Sequence, residues 1–115
     1  MNFIDGTLDS AGHFSSPGMS LDLDLEMTGD GRTVVLGIRP EHLLIVAGGP
    51  FEGKVALVEP MGNHQVVWIA VGARKLSAIV NDNRELKLGD PVRFAIAADR
   101  VSLFDKATEQ RLNHP

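Results

Sequence analysis

Apolar residues in this chain come in short runs broken by turn residues, and nowhere do they recur at the spacing of a helical stripe. That limits what the chain can become. A helix shows its buried face every third or fourth residue, whereas a strand shows it at every second residue or as one short continuous run. The segment "SLDLDLEM" alternates strictly, with Leu21, Leu23, Leu25 and Met27 on one side and Asp22, Asp24 and Glu26 on the other. It reads as a half-buried strand. The following "TGDGR" carries Asp30-Gly31, a pair suited to the positive φ angles of a tight turn. "TVVLGI" then returns as a β-branched strand, so these two segments are expected to form a hairpin.

The same reading continues down the chain. "HLLIVAGG", "GKVALVEP", "QVVWIAVG" and "KLSAIV" are further strands, with Gly62-Asn63 turning between the second and third. "NDNRELKLGDP" is a polar connection. "VRFAIAADRVSLFD" is two strands about a bend at Ala98-Asp99. "GHFSSPGMS" has the composition of a flexible loop, and residues 106–115 form a polar tail expected to fray. The total is about nine strands, which makes the chain all-β and a small barrel or sandwich. With 115 residues it is expected to be a single domain.

Composition removes several functions. The formal net charge is −4, and nucleic-acid surfaces need clustered Lys and Arg. There is no Tyr and one Trp, Trp68, which lies in an apolar run expected to be core. With so few aromatic residues, a base-stacking groove is not expected. There is no cysteine, hence no disulfide framework, thiolate nucleophile or cysteine zinc site. Asp5 stands where a signal peptide needs a basic start and an apolar run.

The local motifs are weak. "GGPFEGKV", Gly48 to Val55, matches a phosphate loop except at its last position. Val55 replaces the hydroxyl residue that would hold magnesium, Pro50 has no N–H to give a phosphate, and the lysine leads into a strand rather than a helix. It reads as a glycine-rich turn. His13, His42, His64 and His114 show no metal-ligand spacing. The acidic side of "LDLDLE" reads as a solvated face that discourages edge pairing. No G-x-S-x-G elbow is present, so no catalytic residue is assigned. Arg39, Lys54, Arg74 and Lys75 are the cations that would serve an oxyanion pocket, and none sits convincingly with a glycine turn.

The break in "LGIRPEHLLIV", Leu36 to Val46, reads as a corner. Pro40 fixes its own φ, keeps Arg39 extended and suits the first position of a helical turn. Glu41 then sits in that first turn, where a carboxylate favours the dipole. The expected order is strand, corner, one short helical turn near 40–43, strand. Arg39, Pro40, Glu41 and His42 are assigned a structural or inter-domain role, with an Arg39–Glu41 ion pair locking the corner.

"LGIRPEHL" resembles the hallmark of the C-terminal regulatory, transport-associated domain of maltose-importer-type ABC transporter ATP-binding subunits. "MNFIDGTL" resembles the start of that domain. "GKVALVEPMGNHQVVWIAV" resembles its strand–turn–strand segment, with Glu59 and Gly62 in the characteristic places. "LKLGDPVRFAIAADRVSLFD" resembles its closing strands, ending at Phe104 and Asp105. "ATEQRL" resembles its tail, with Glu109 where glycine is more usual. The resemblance implies a barrel of the oligonucleotide/oligosaccharide-binding type with extra strands. It implies a non-catalytic regulatory and dimerisation domain, working as a homodimer with permease subunits at the cytoplasmic face of the membrane. In the maltose-importer branch a regulatory protein is a further partner. The motifs for ATP and magnesium belong to a preceding domain, so no cofactor is expected in this chain. The chain is then excised from a longer subunit, with Met1 an internal methionine. The alternative is a free-standing sensor of an oxyanion or a sugar phosphate.

Overall fold

The structure, a computed structural model, describes every residue except 10–11, 18, 23–31, 83 and 112–115. The described residues form ten strands and two single turns of 3₁₀ helix, so the chain is all-β as expected. The strands are β1 (Asn2–Leu8), β2 (His13–Ser16), β3 (Met19–Asp22), β4 (Arg32–Ile38), β5 (Leu43–Ile45), β6 (Phe51–Pro60), β7 (Gln65–Val71), β8 (Arg74–Val80), β9 (Pro91–Ile96) and β10 (Ser102–Asp105). The 3₁₀ turns are Pro40–His42 and Ala98–Arg100. The chain divides into two compact units, one of Met1 with Arg39–Ala97 and the other of Asn2–Ile38 with Ala98–Pro115.

In the second unit a five-stranded antiparallel sheet runs in the order β10-β4-β1-β2-β3. Register places Leu103, Leu36 and Ile4 side by side on one face. All three are buried, together with Leu8, Phe14, Val34 and Ile38. Gly6 is needed on β1 because the Phe14 ring lies over it; a Cβ there would stand 2.6 Å from that ring. This unit corrects two expectations. The neighbours of β4 are β1 and β10, and the described part of "SLDLDLEM", Ser20–Asp22, pairs with β2 instead. The rest of the expected hairpin, including Asp24, Glu26 and the Asp30-Gly31 turn, lies outside the described residues. "GHFSSPGMS" is not a loop, since its His13–Ser16 portion is β2. Small hydroxyl residues made it look like a connection, yet Phe14 supplies the buried anchor that a short strand needs.

In the first unit another antiparallel sheet of five strands runs β5-β9-β6-β7-β8. β8 also packs against β5, so the two ends of that order lie close and the sheet curls. Its core holds Leu43, Phe51, Val55, Val67, Ile69, Leu76 and Phe94. The Phe51 and Phe94 rings are tilted, with centroids 5.4 Å apart. The register shifts between Val55 and Leu57, where β6 carries a bulge. Val55 thus points inward opposite Ile69, while Leu57 is exposed opposite Trp68. Lys54 and Val55 lie within strand β6, which leaves the phosphate-loop look-alike without a helix to start.

Candidate functional site

The Arg39–His42 corner is opened by its local sequence. Arg39 is extended, with φ −74° and ψ 147°, and Pro40 opens the 3₁₀ turn. The His42 N–H donates to the Arg39 carbonyl at 2.9 Å, and the Leu43 N–H donates to the Pro40 carbonyl. The Ala97 N–H donates to the His42 carbonyl at 3.1 Å, tying the corner to the end of β9. The turn packs against β8. No ion pair joins Arg39 to Glu41 among the described residues, which corrects that expectation: both side chains point to solvent and the backbone bonds close the corner. His42 shows a feature the sequence did not announce. Its Nδ1 is buried without a hydrogen-bond partner among the described residues.

The β6–β7 hairpin carries Glu59 and Gly62. Gly62 has φ +91°, a left-handed conformation that favours glycine. The Met61 N–H closes the turn onto the His64 carbonyl at 2.9 Å. Glu59 Oε1 accepts from the Trp68 indole N–H at 2.6 Å. Trp68 is therefore half-buried, not core: its N–H needs a partner, and the strand face that holds it supplies a carboxylate.

Phe104 and Asp105 close the other unit. Phe104 is half-buried, stands opposite Val35 and forms an isolated bridge with Arg111. Asp105 Oδ1 accepts the N–H groups of Ala107 at 2.9 Å and Thr108 at 3.1 Å. The Asp105 N–H donates to the Gln110 carbonyl at 2.8 Å, and its own carbonyl accepts from Glu109 at 2.7 Å. The tail is thus tied down as far as Arg111, which corrects the expectation of fraying for residues 106–111. Glu109 has φ 62°, which explains why glycine suits that position.

On the outer face of this sheet, register places Phe104, Val35 and Asp5 in one row and Ser102, Gly37 and Phe3 in the next. Phe3 is 63% exposed. Lys106 Nζ lies 3.2 Å from Asp5 Oδ2 at the edge of this apolar group.

Within the Arg39–Ala97 unit a cleft of about 670 Å³ is lined by Glu52, Gly53, Lys54, Gly72, Pro91 and Arg93, among others. Of the four cations proposed for an oxyanion, Lys54 alone reaches it. Arg93 is spent on Glu52 Oε1 at 2.7 Å and on the Gly49 carbonyl at 3.0 Å. A second cation cluster stands apart from the cleft. Asp82 receives Arg84 in a fork, Nε to Oδ1 at 2.9 Å and Nη2 to Oδ2 at 2.7 Å. Those bonds, with the Arg84 backbone N–H, hold the Asp82 carboxyl down at about 2 and push Arg84 upward. The remaining Arg84 arm donates to the Ile45 carbonyl at 2.8 Å, linking the 81–90 connection to β5.

The model of the TOBE domain family matches residues 36–104. The chain belongs to the TOBE domain family. The opening segment of this TOBE domain, residues 1–43, also matches the MalK OB fold domain. It is similar to an uncharacterized ABC transporter ATP-binding protein, y4oS of Sinorhizobium fredii, with 31% identity over 97% of this chain and 31% of that protein. It is 36% identical to the maltose/maltodextrin import ATP-binding protein MalK of Vibrio cholerae, over 64% of this chain and 21% of that one. The TOBE domain thus spans a third or less of these relatives, and the resemblance to the regulatory domain of ABC ATP-binding subunits is borne out. In fold it is similar to the cytoplasmic molybdate-binding protein ModG, with a TM-score of 0.68 and 19% identity, covering 89% of this chain and 94% of that one.

Proposed function

We propose that this TOBE domain is the regulatory and self-association module of the ATP-hydrolysing subunit of an ABC importer for sugars or related solutes. The observation that carries the reading is the family match across both ends of the chain, to a TOBE domain and to the OB fold domain of MalK. ATP and magnesium belong to a nucleotide-binding domain of the parent subunit, and this domain does no chemistry itself. Its work is mechanical: joining two subunits raises the effective concentration of one nucleotide domain for the other. The parent would sit with permease subunits at the cytoplasmic face of the membrane.

The apolar group of Phe3, Val35 and Phe104 is the face we assign to self-association. Phe3 is an aromatic side chain left mostly in water, and Asp5 with Lys106 supplies both signs of charge at the rim. A twofold contact needs such a self-complementary patch. The corner, with Arg39 and Glu41 exposed and unpaired, is assigned to contacts with another domain or subunit. Glu59, Gly62 and Asp105 are assigned to holding turns. The test is the coding DNA upstream of Met1. An open frame encoding a phosphate loop, a signature sequence and a switch histidine supports the reading. A stop codon with a ribosome site immediately before Met1 overturns it.

A further inference from the structure

A pocket of about 440 Å³ opens between the β6–β7 turn and the 81–90 connection. Its walls are fixed by bonds of their own. The turn is closed by the Met61 N–H on the His64 carbonyl. Gln65 Nε2 donates to the Arg84 carbonyl at 3.0 Å and more weakly to that of Asp82 at 3.4 Å, fastening the connection to β7. The Asp90 carboxylate accepts the Lys87 N–H at 2.9 Å, which holds the backbone of Lys87. Such a pocket needs no folding to receive a ligand, which lowers the cost of binding.

The polar groups lining it retain unused capacity. Asn63 Oδ1 is shared with His64 Nδ1 at 2.7 Å, which among the described residues leaves the Asn63 amide N–H₂ and His64 Nε2 available. The Glu85 carboxylate and the Lys87 ammonium also line the pocket. Charge within it is balanced, because Asp82 is neutralised by Arg84 and Glu85 faces the same space as Lys87. An anion would meet Glu85, and a cation would meet Lys87. Hydroxyl groups, each both donor and acceptor, can use all of them. Pro60 and Leu86 give the aliphatic surface against which the C–H face of a ring can lie.

We propose that this pocket binds a neutral polyhydroxylated solute of the size of one sugar ring. The site stands on the pocket's own geometry and does not rest on the importer reading or on self-association. The test is an amide NMR titration of the 115-residue chain with D-glucose and glycerol, with sodium sulfate as the anionic comparison. The expected result is saturable shifts confined to residues 62–65 and 84–87, at millimolar glucose. Asn63→Ala and Glu85→Ala should each weaken binding about fivefold or more, as expected for one lost hydrogen bond. Lys54→Ala, outside the pocket, should leave it unchanged. Shifts that stay linear in glucose, or that saturate elsewhere, overturn the proposal. So does saturation of this pocket by sulfate in place of glucose. Preserved spectral dispersion in each variant shows that a loss of binding is not a loss of fold.

Discussion

Glu109 holds a left-handed backbone that an L-residue adopts at a cost, while its N–H still completes the turn onto the Asp105 carbonyl. Glu109→Gly should therefore raise stability by about 1 kcal/mol, the cost of the left-handed conformation less the entropy glycine gains when unfolded. Urea unfolding checks this, and a destabilised variant would contradict it. His42 offers the opposite case, a buried ring nitrogen with no partner among the described residues. His42→Leu should be at least as stable as the parent and gain up to about 1 kcal/mol. A clear loss would show that the nitrogen is satisfied. Neither residue was fully legible beforehand. The resemblance marked Glu109 as unusual but not its φ, and a histidine in a corner does not reveal which of its nitrogens is buried. Trp68 was misplaced for a related reason. An apolar neighbourhood argues for core, and the decisive partner, Glu59, is on another strand.

At the scale of elements, legibility followed locality. The β6–β7 hairpin was readable because its strands and its Gly62 turn are adjacent in sequence. The corner was readable because proline constrains its neighbours directly. β4 was not, because its partners β1 and β10 come from distant segments, and strict alternation describes a strand without saying what it pairs with. The Asp82–Arg84 fork was unreadable for another reason: both residues lie in a polar stretch that looks like any connection. It carries a pH prediction. The folded-state value of Asp82 is depressed, so its contribution is present above the ordinary carboxylate range and is lost as pH falls through about 2. A carboxyl ¹³C titration should place its midpoint near 2. A midpoint at the ordinary aspartate value, about 4, would mean the fork does not persist in solution.

For the molecule as a whole, the all-β class followed from turn spacing and short apolar runs, and the family followed from "IRPEHL" and "SLFD". The candidate sites did not. The proposed regulatory role needs no reacting atoms whose geometry would force a motif, and the proposed self-association face needs only apolar side chains in register on one face of a sheet. Phe3, Val35 and Phe104 come from three segments, and strand pairing alone brings them together. The function proposed for this domain depends on this face joining two copies of the chain. The most direct measurement is sedimentation equilibrium of the chain and of Phe3→Asp in the high-micromolar range. Self-association through this face predicts a reversible dimer for the parent chain and a monomer, with an unchanged β circular-dichroism spectrum, for Phe3→Asp. A parent chain that stays monomeric, or a dimer that Phe3→Asp leaves intact, would contradict it.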